Sequence, residues 1–157
     1  MEIERKFLIR QMPENWQALP HHEIEQAYLC TNPVVRIRRQ DDSYYLTYKG
    51  KGKMAREEYN LPLTPEGYAH LLKKADDHVI RKTRYLIPME TETNSQKLIG
   101  EIDIFHDQLE GLVFMEIEFS SIEEALAYQP PAWVGEDVTE NPFYHNSRLS
   151  KLDSLPR

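Results

Sequence analysis

The sequence predicts a mainly β fold: an eight-stranded closed antiparallel barrel with charged side chains facing inward and a few helices packed outside. Three observations predict it. Eight segments alternate with a period of two, the mark of strands with two distinct faces. Turn signals separate many of them, at Asn32-Pro33, Asp41-Asp42, Gly50-Lys51-Gly52 and Gly111, and short connections favour antiparallel neighbours. The polar faces carry like charges grouped strand by strand instead of mixed signs. Like charges side by side repel each other, so a chain that keeps them has a use for them.

The elements follow in order. In the first strand, Glu2–Ile9, the residues Glu2, Glu4 and Lys6 share one face, and Ile3, Arg5, Phe7 and Ile9 share the other. The second strand is Glu23–Leu29. The third, Val34–Arg39, sets Arg36 and Arg38 opposite Val35 and Ile37, and the fourth, Tyr44–Lys49, aligns Tyr45, Thr47 and Lys49. The stretch "GKGK" at Gly50–Lys53 lacks both the spacing and the following helix of a phosphate loop, and reads as a hairpin turn. Ala55–Leu61 places Arg56, Glu58 and Asn60 together. Thr64 then caps a helix with Pro65 at its first position, running to about Ala75. Val79–Ile87 sets Lys82 and Arg84 on one face, with Arg81 breaking the opposite one. Lys97–Phe105 aligns Glu101 with Asp103, and Val113–Phe119 aligns Glu116 with Glu118. Ser121 caps a second helix, Ile122–Tyr128, which Pro130-Pro131 stops. Asn141–Leu155 reads as irregular chain plus a short terminal helix.

A chain of 157 residues is expected to form one domain, 1–157, with a sizeable core. Its net charge of −7 argues against a nucleic-acid partner, which calls for a basic field. Cys30 is the only cysteine and leaves no internal disulfide, which fits a cytoplasmic location. No run of 18 apolar residues occurs, so no membrane span and no membrane partner are expected.

Any one of these strands, taken alone, is better read as part of an antiparallel sheet with one wet face. Two features favour a barrel for the set. The charges are segregated by strand, and an eight-stranded sheet curls, closing to remove its exposed edges. The apolar outside must then be covered by the helices and the C-terminal segment. Burying unpaired ions costs several kcal/mol each, so such a lumen is wet or filled with counter-charge. Arg and Lys suit phosphate oxygens, and repelling carboxylates suit a hard divalent cation. Together they describe a site for a metal-bound polyphosphate.

The stretch "EIERK" resembles the Glu-x-Glu-x-Lys signature of the CYTH superfamily, the triphosphate tunnel metalloenzymes. "VRIRRQDDSYYLTYKG", "REEYN", "IRKTR", "EIDIF" and "MEIEF" follow in the family's order, over nearly the whole chain. The resemblance implies an eight-stranded barrel open at both ends. It also implies hydrolysis of tripolyphosphate, or of nucleoside triphosphates, with Mg²⁺ or Mn²⁺. Carried over position by position, it implies catalytic roles for Glu4, Lys6, Tyr28 and Glu58. It implies phosphate binding by Lys6, Arg36, Arg38, Lys49, Arg56, Lys82 and Arg84, and metal binding by Glu2, Glu4, Asp103, Glu116 and Glu118. One residue departs from the pattern: Asn60 stands where many members carry a second glutamate after Glu58. An adenylyl cyclase of class IV type, a thiamine triphosphatase and a polyphosphate-binding module without catalysis are the alternatives. Of these, the binding module gains least from doubled carboxylates.

Overall fold

The computed structural model describes residues 1–90 and 97–156. The strands are β1 (Glu2–Ile9), β2 (His21–Thr31), β3 (Val34–Gln40), β4 (Ser43–Lys49), β5 (Ala55–Arg56), β6 (Glu58–Pro62), β7 (Asp76–Met89), β8 (Leu98–Phe105), β9 (Val113–Glu118) and β10 (Val134–Asp137). The helices are α1 (Pro65–Leu72), α2 (Ile122–Ala127) and α3 (Asn146–Leu149). Every strand expected from alternation is present, within a few residues at its ends.

The strands are antiparallel throughout, in the order β10-β1-β9-β8-β7-β2-β3-β4-β6. β5 and β6 are one extended stretch broken at Glu57. Its later half pairs with β4, and its earlier half returns to β1 through Glu2↔Arg56 and Ile3↔Ala55. The Glu4 N–H adds a bond to the Met54 carbonyl at 2.9 Å. This short seam nearly closes the sheet into a barrel. Taking β5 with β6 and setting β10 aside, the ten strands make a ring of eight. β10 flanks the far half of β1 as a ninth, with Phe7 opposite Asp137. β10 was not anticipated, because four residues after a Pro-Pro stop are too few to show a period.

Apolar clusters on the outer faces hold the ring. α1 lays Tyr68 against Ala27 and Ile37, and Thr64 caps it by accepting from the Gly67 N–H at 2.9 Å. α2 lays Ala125 into a cluster with Phe7, Ile102, Met115 and Ile117. Arg5, the charged exception on the outer face of β1, serves this helix. Its guanidinium donates to the carbonyls of Ala125 at 2.8 Å and Tyr128 at 2.9 Å, groups that a helix end leaves without partners, and pairs with Asp137 at 2.9 Å.

Inside, the lumen changes character along its length. Leu8, Ile80, Phe105 and Phe114 continue the strand faces of Lys6, Lys82, Asp103 and Glu116, but they are apolar. They pack with Tyr28, Leu109 and Leu112, and with Phe143, Tyr144, Leu149 and Leu152 of the C-terminal segment. Two expectations are corrected here. The barrel is not open at both ends, and the C-terminal segment closes one end instead of covering the outer wall. The reason is the hydrophobic effect, which favours burial of each such side chain by about 1.5–3 kcal/mol. Among the described residues, no helix is long and apolar enough to cross a membrane.

Candidate active site

The polar half of the lumen encloses a cavity of about 240 Å³. Glu2, Glu4, Lys6, Tyr28, Arg36, Arg38, Lys49, Arg56, Glu58, Arg84, Glu116 and Glu118 all line it. They come from β1, β2, β3, β4, β5, β6, β7 and β9, so the period-two alternation brings them together from around the ring. Among the described residues lining it, Val34 is the one aliphatic side chain.

The cations fall into two groups. Arg84 is fully engaged. It makes a two-pronged bond to Asp103 at 2.8 and 2.9 Å and also reaches Glu101 at 3.1 Å and Glu116 at 3.5 Å. Burial opposes its charge, but Asp103 and Glu101 outweigh burial and hold its pKa well above the usual arginine value. Arg36 and Arg38, by contrast, are buried against neutral partners. Arg38 is held by the Gln26 side-chain oxygen at 2.6 and 3.0 Å, and Arg36 reaches the Thr47 hydroxyl at 3.4 Å. Arg36 Nε is buried with no acceptor at all. A buried guanidinium N–H left unpaired is costly, and an anionic oxygen entering the cavity removes that cost. Lys6 stands at the boundary of the two halves. Its Nζ donates to the Tyr144 carbonyl at 2.6 Å and lies 4.4 Å from the centre of the Phe114 ring.

The carboxyl groups come in hydrogen-bonded pairs. Glu4 bonds to Glu116, and Glu2 bonds to Glu58. Burial, then the charge of Glu116, raises Glu4 well above the usual carboxyl range. Burial acts the same way on Glu116, but Lys6 and Arg84 overcome it and take its pKa well below that range. Burial and the bond to Glu58 raise Glu2 to about 7. Glu58 is lowered to about 2: burial opposes this, while the bonds from Glu2 and Asn60 and the charge of Lys49 bring it about. Each pair shares one proton where two negative charges would repel. Lys49 sits over the second pair, 3.1 Å from Glu2 and 3.8 Å from Glu58. Asn60, the departure from the family pattern, donates to Glu58 at 3.0 Å and accepts from Thr47 at 2.6 Å, so it orients Glu58.

The expected metal ligands fare unequally. Among the described residues, no three His, Cys, Asp or Glu side chains converge on one metal-ligand point. The all-oxygen pairs Glu4–Glu116 and Glu2–Glu58, with Glu118 exposed at the mouth, nevertheless fit a hard divalent cation, which can replace the shared protons. Asp103 does not fit that role. It is wholly buried, away from the cavity, and its oxygens accept from Arg84 and from Lys82 at 2.8 Å. Lys82 likewise does not line the cavity. Its ammonium is buried between Asp103 and Asn146. Both residues brace the wall.

Several lining residues were missed. Glu101 and Tyr45 share the strand face of residues that were named, so their signal was present. Thr139 and His145 come from irregular C-terminal chain, and Asn146 and Ser147 from the four-residue α3, too short to show a period. His145 is pushed down to about 4 by burial and then by the charges of Lys6, Arg56, Lys53 and Lys49.

Comparison with known proteins agrees with this geometry. The CYTH domain family model matches residues 1–153. An inorganic triphosphatase of Nitrosomonas europaea is 34% identical over 95% of this chain and 96% of its own length. An inorganic triphosphatase of Acetivibrio thermocellus is 33% identical over 96% of this chain and 93% of its own. The crystal structure of an inorganic triphosphatase superposes with a TM-score of 0.70 at 31% identity, covering 100% of this chain and 97% of the other.

Proposed function

This chain belongs to the CYTH domain family, and from that premise we propose that it is an inorganic triphosphatase, a hydrolase that splits tripolyphosphate into pyrophosphate and phosphate in the polar half of its barrel. The observation that carries the reading is one small cavity holding two buried arginines without carboxylate partners beside two proton-sharing carboxyl pairs. Its volume, about 240 Å³, lies below the ~300–1,000 Å³ usual for drug-sized ligands. It offers little apolar wall for a nucleobase, which argues against a cyclase or a thiamine triphosphate site. The names of the relatives support the same substrate class.

Phosphoryl transfer depends on in-line placement and charge neutralisation more than on covalent catalysis. Arg36 and Arg38 would offer their forks to the non-bridging oxygens, and Arg36 Nε would gain the acceptor it lacks. A divalent cation, Mg²⁺ or Mn²⁺, would be held by Glu2, Glu4, Glu116 and Glu118, and would supply charge neutralisation and a lower pKa for the attacking water. Once a cation has displaced the proton Glu4 shares with Glu116, Glu4 would be a carboxylate able to take the proton of the attacking water. The water oxygen bonds to the terminal phosphorus, the bridging bond breaks, and the electron pair leaves with pyrophosphate, beside the Lys6 ammonium. Burial raises the Tyr28 pKa despite Arg36 and Arg38, so its phenol stays protonated and acts by orienting, not as a base. Phosphorus NMR of tripolyphosphate incubated with the protein and Mg²⁺ or Mn²⁺ tests the reading. Equal amounts of pyrophosphate and orthophosphate are expected, and an unaltered substrate would contradict it.

A further inference from the structure

A second, larger chamber adjoins the central cavity. Its volume is about 550 Å³. It lies under the β4–β5 turn, Gly50–Lys53, and against Thr31, Asn32 and Pro33 at the β2–β3 turn. The two spaces share the side chains of Val34, Lys49, Lys53, Arg56, His145 and Ser147, so one opens beside the other. The turn is held in place by Gly52, whose φ of +129° is open to glycine alone; a Cβ there would meet the Ala55 carbonyl oxygen at 2.2 Å.

The charge of this chamber differs from that of the cavity. Among the described residues, no Asp or Glu lines it, while Lys49, Lys51, Lys53 and Arg56 do. Lys49 is shared with Glu2 and Glu58, and Lys53 reaches Glu140 at 3.9 Å on the exposed rim. In a chain of net charge −7, an acid-free basic chamber beside a triphosphate site is a marked segregation. The central cavity has carboxyl pairs for a cation and arginines for phosphate. The side chamber offers cations alone, so it suits an anion that brings no metal. Burial first, then the charges of Lys6, Arg56, Lys53 and Lys49, hold His145 down to about 4, which leaves a neutral imidazole able to donate a hydrogen bond to a phosphate oxygen.

Resting on the reading of the central cavity as a triphosphate site, we propose that this chamber is an anion subsite that takes the fourth phosphate of a longer linear polyphosphate, with Lys51 as its outer cation. The enzyme then acts on tetrapolyphosphate as well as tripolyphosphate, and the chamber sets the preference between them.

Lys51→Glu tests the subsite, because Lys51 is exposed and lies outside the central cavity. kcat/KM is measured for tripolyphosphate and tetrapolyphosphate with the wild type, Lys51→Glu and Arg39→Glu. The last makes the same charge change at the opposite end of β3. A charge reversal near a phosphate should lower the tetrapolyphosphate value about fivefold or more relative to the tripolyphosphate value, and Arg39→Glu should leave that ratio as it is. An unchanged ratio in Lys51→Glu would overturn the subsite. So would relief of pyrophosphate inhibition at an unchanged ratio, which would mean that the chamber serves the released product. If the wild type cleaves neither substrate, the proposed function falls. The subsite is then tested by calorimetry, and it stands only if Lys51→Glu weakens binding of tetrapolyphosphate more than of tripolyphosphate.

Discussion

The two halves of this lumen are built from the same strands with the same alternation, yet they solve opposite problems. In one half, Leu8, Ile80, Phe105 and Phe114 exclude water and pack with the C-terminal segment. In the other, the same strand faces carry Lys6, Lys82 and Glu116, and a cavity of about 240 Å³ remains. The apolar half is complete as it stands. The polar half has a guanidinium N–H with no acceptor and carboxyl pairs that share protons, so its interactions are completed by something that enters. A barrel thus uses one end for stability and the other for chemistry. The two meet where Lys6 lies over Phe114 at 4.4 Å and Lys82 over Phe105 at 5.3 Å.

Substitutions should separate the halves. The largest effect is expected from Glu4→Ala in the polar half: a fall in kcat/KM of roughly a thousandfold or more, with a melting temperature near that of the wild type. Near-native turnover in that variant would dissolve the distinction. Next is Asp103→Ala at the boundary. It strands Lys82 as a buried cation and takes from Arg84 its two-pronged partner, and should cost about 3–5 kcal/mol in denaturant unfolding, along with activity. A loss of activity alone would return Asp103 to the cavity as a ligand. Leu109→Ala belongs to the apolar half and should cost about 2–5 kcal/mol while kcat/KM of the folded enzyme is kept.

The smallest effect concerns pH. Glu2 has a folded-state pKa of about 7, above its ordinary 4.5. The stability tied to its proton is therefore fully present below 4.5 and is lost as pH rises through 7. Gln at this position stays neutral at every pH. In chelator, the melting temperature of Glu2→Gln should gain on that of the wild type between about pH 5 and 8. A difference constant over that range would mean that Glu2 is ionised throughout.

The polar half was largely legible in the sequence, because a strand face is a local property. Glu2, Glu4 and Lys6 announce a shared face within five residues of one another, and Arg36 with Arg38 do so within three. The apolar end was not legible. Alternation puts Leu8 on the face of Glu2, Glu4 and Lys6, but it does not show that this end of the lumen is packed shut against the C-terminal segment. The resemblance places Asp103 with the metal ligands, and its strand face agrees. Depth along the barrel, which alternation does not encode, puts it against Lys82 and Arg84 instead. His145 and Asn146 escaped for a third reason: their position depends on how the C-terminal segment docks, not on any repeat.

The account rests on carboxyl pairs that hold protons until a cation displaces them. Titrating Mn²⁺ into weakly buffered protein near pH 6 measures this directly. Binding should release about one to two protons per chain, and fewer in Glu4→Gln. Tight Mn²⁺ binding with no proton release would contradict it.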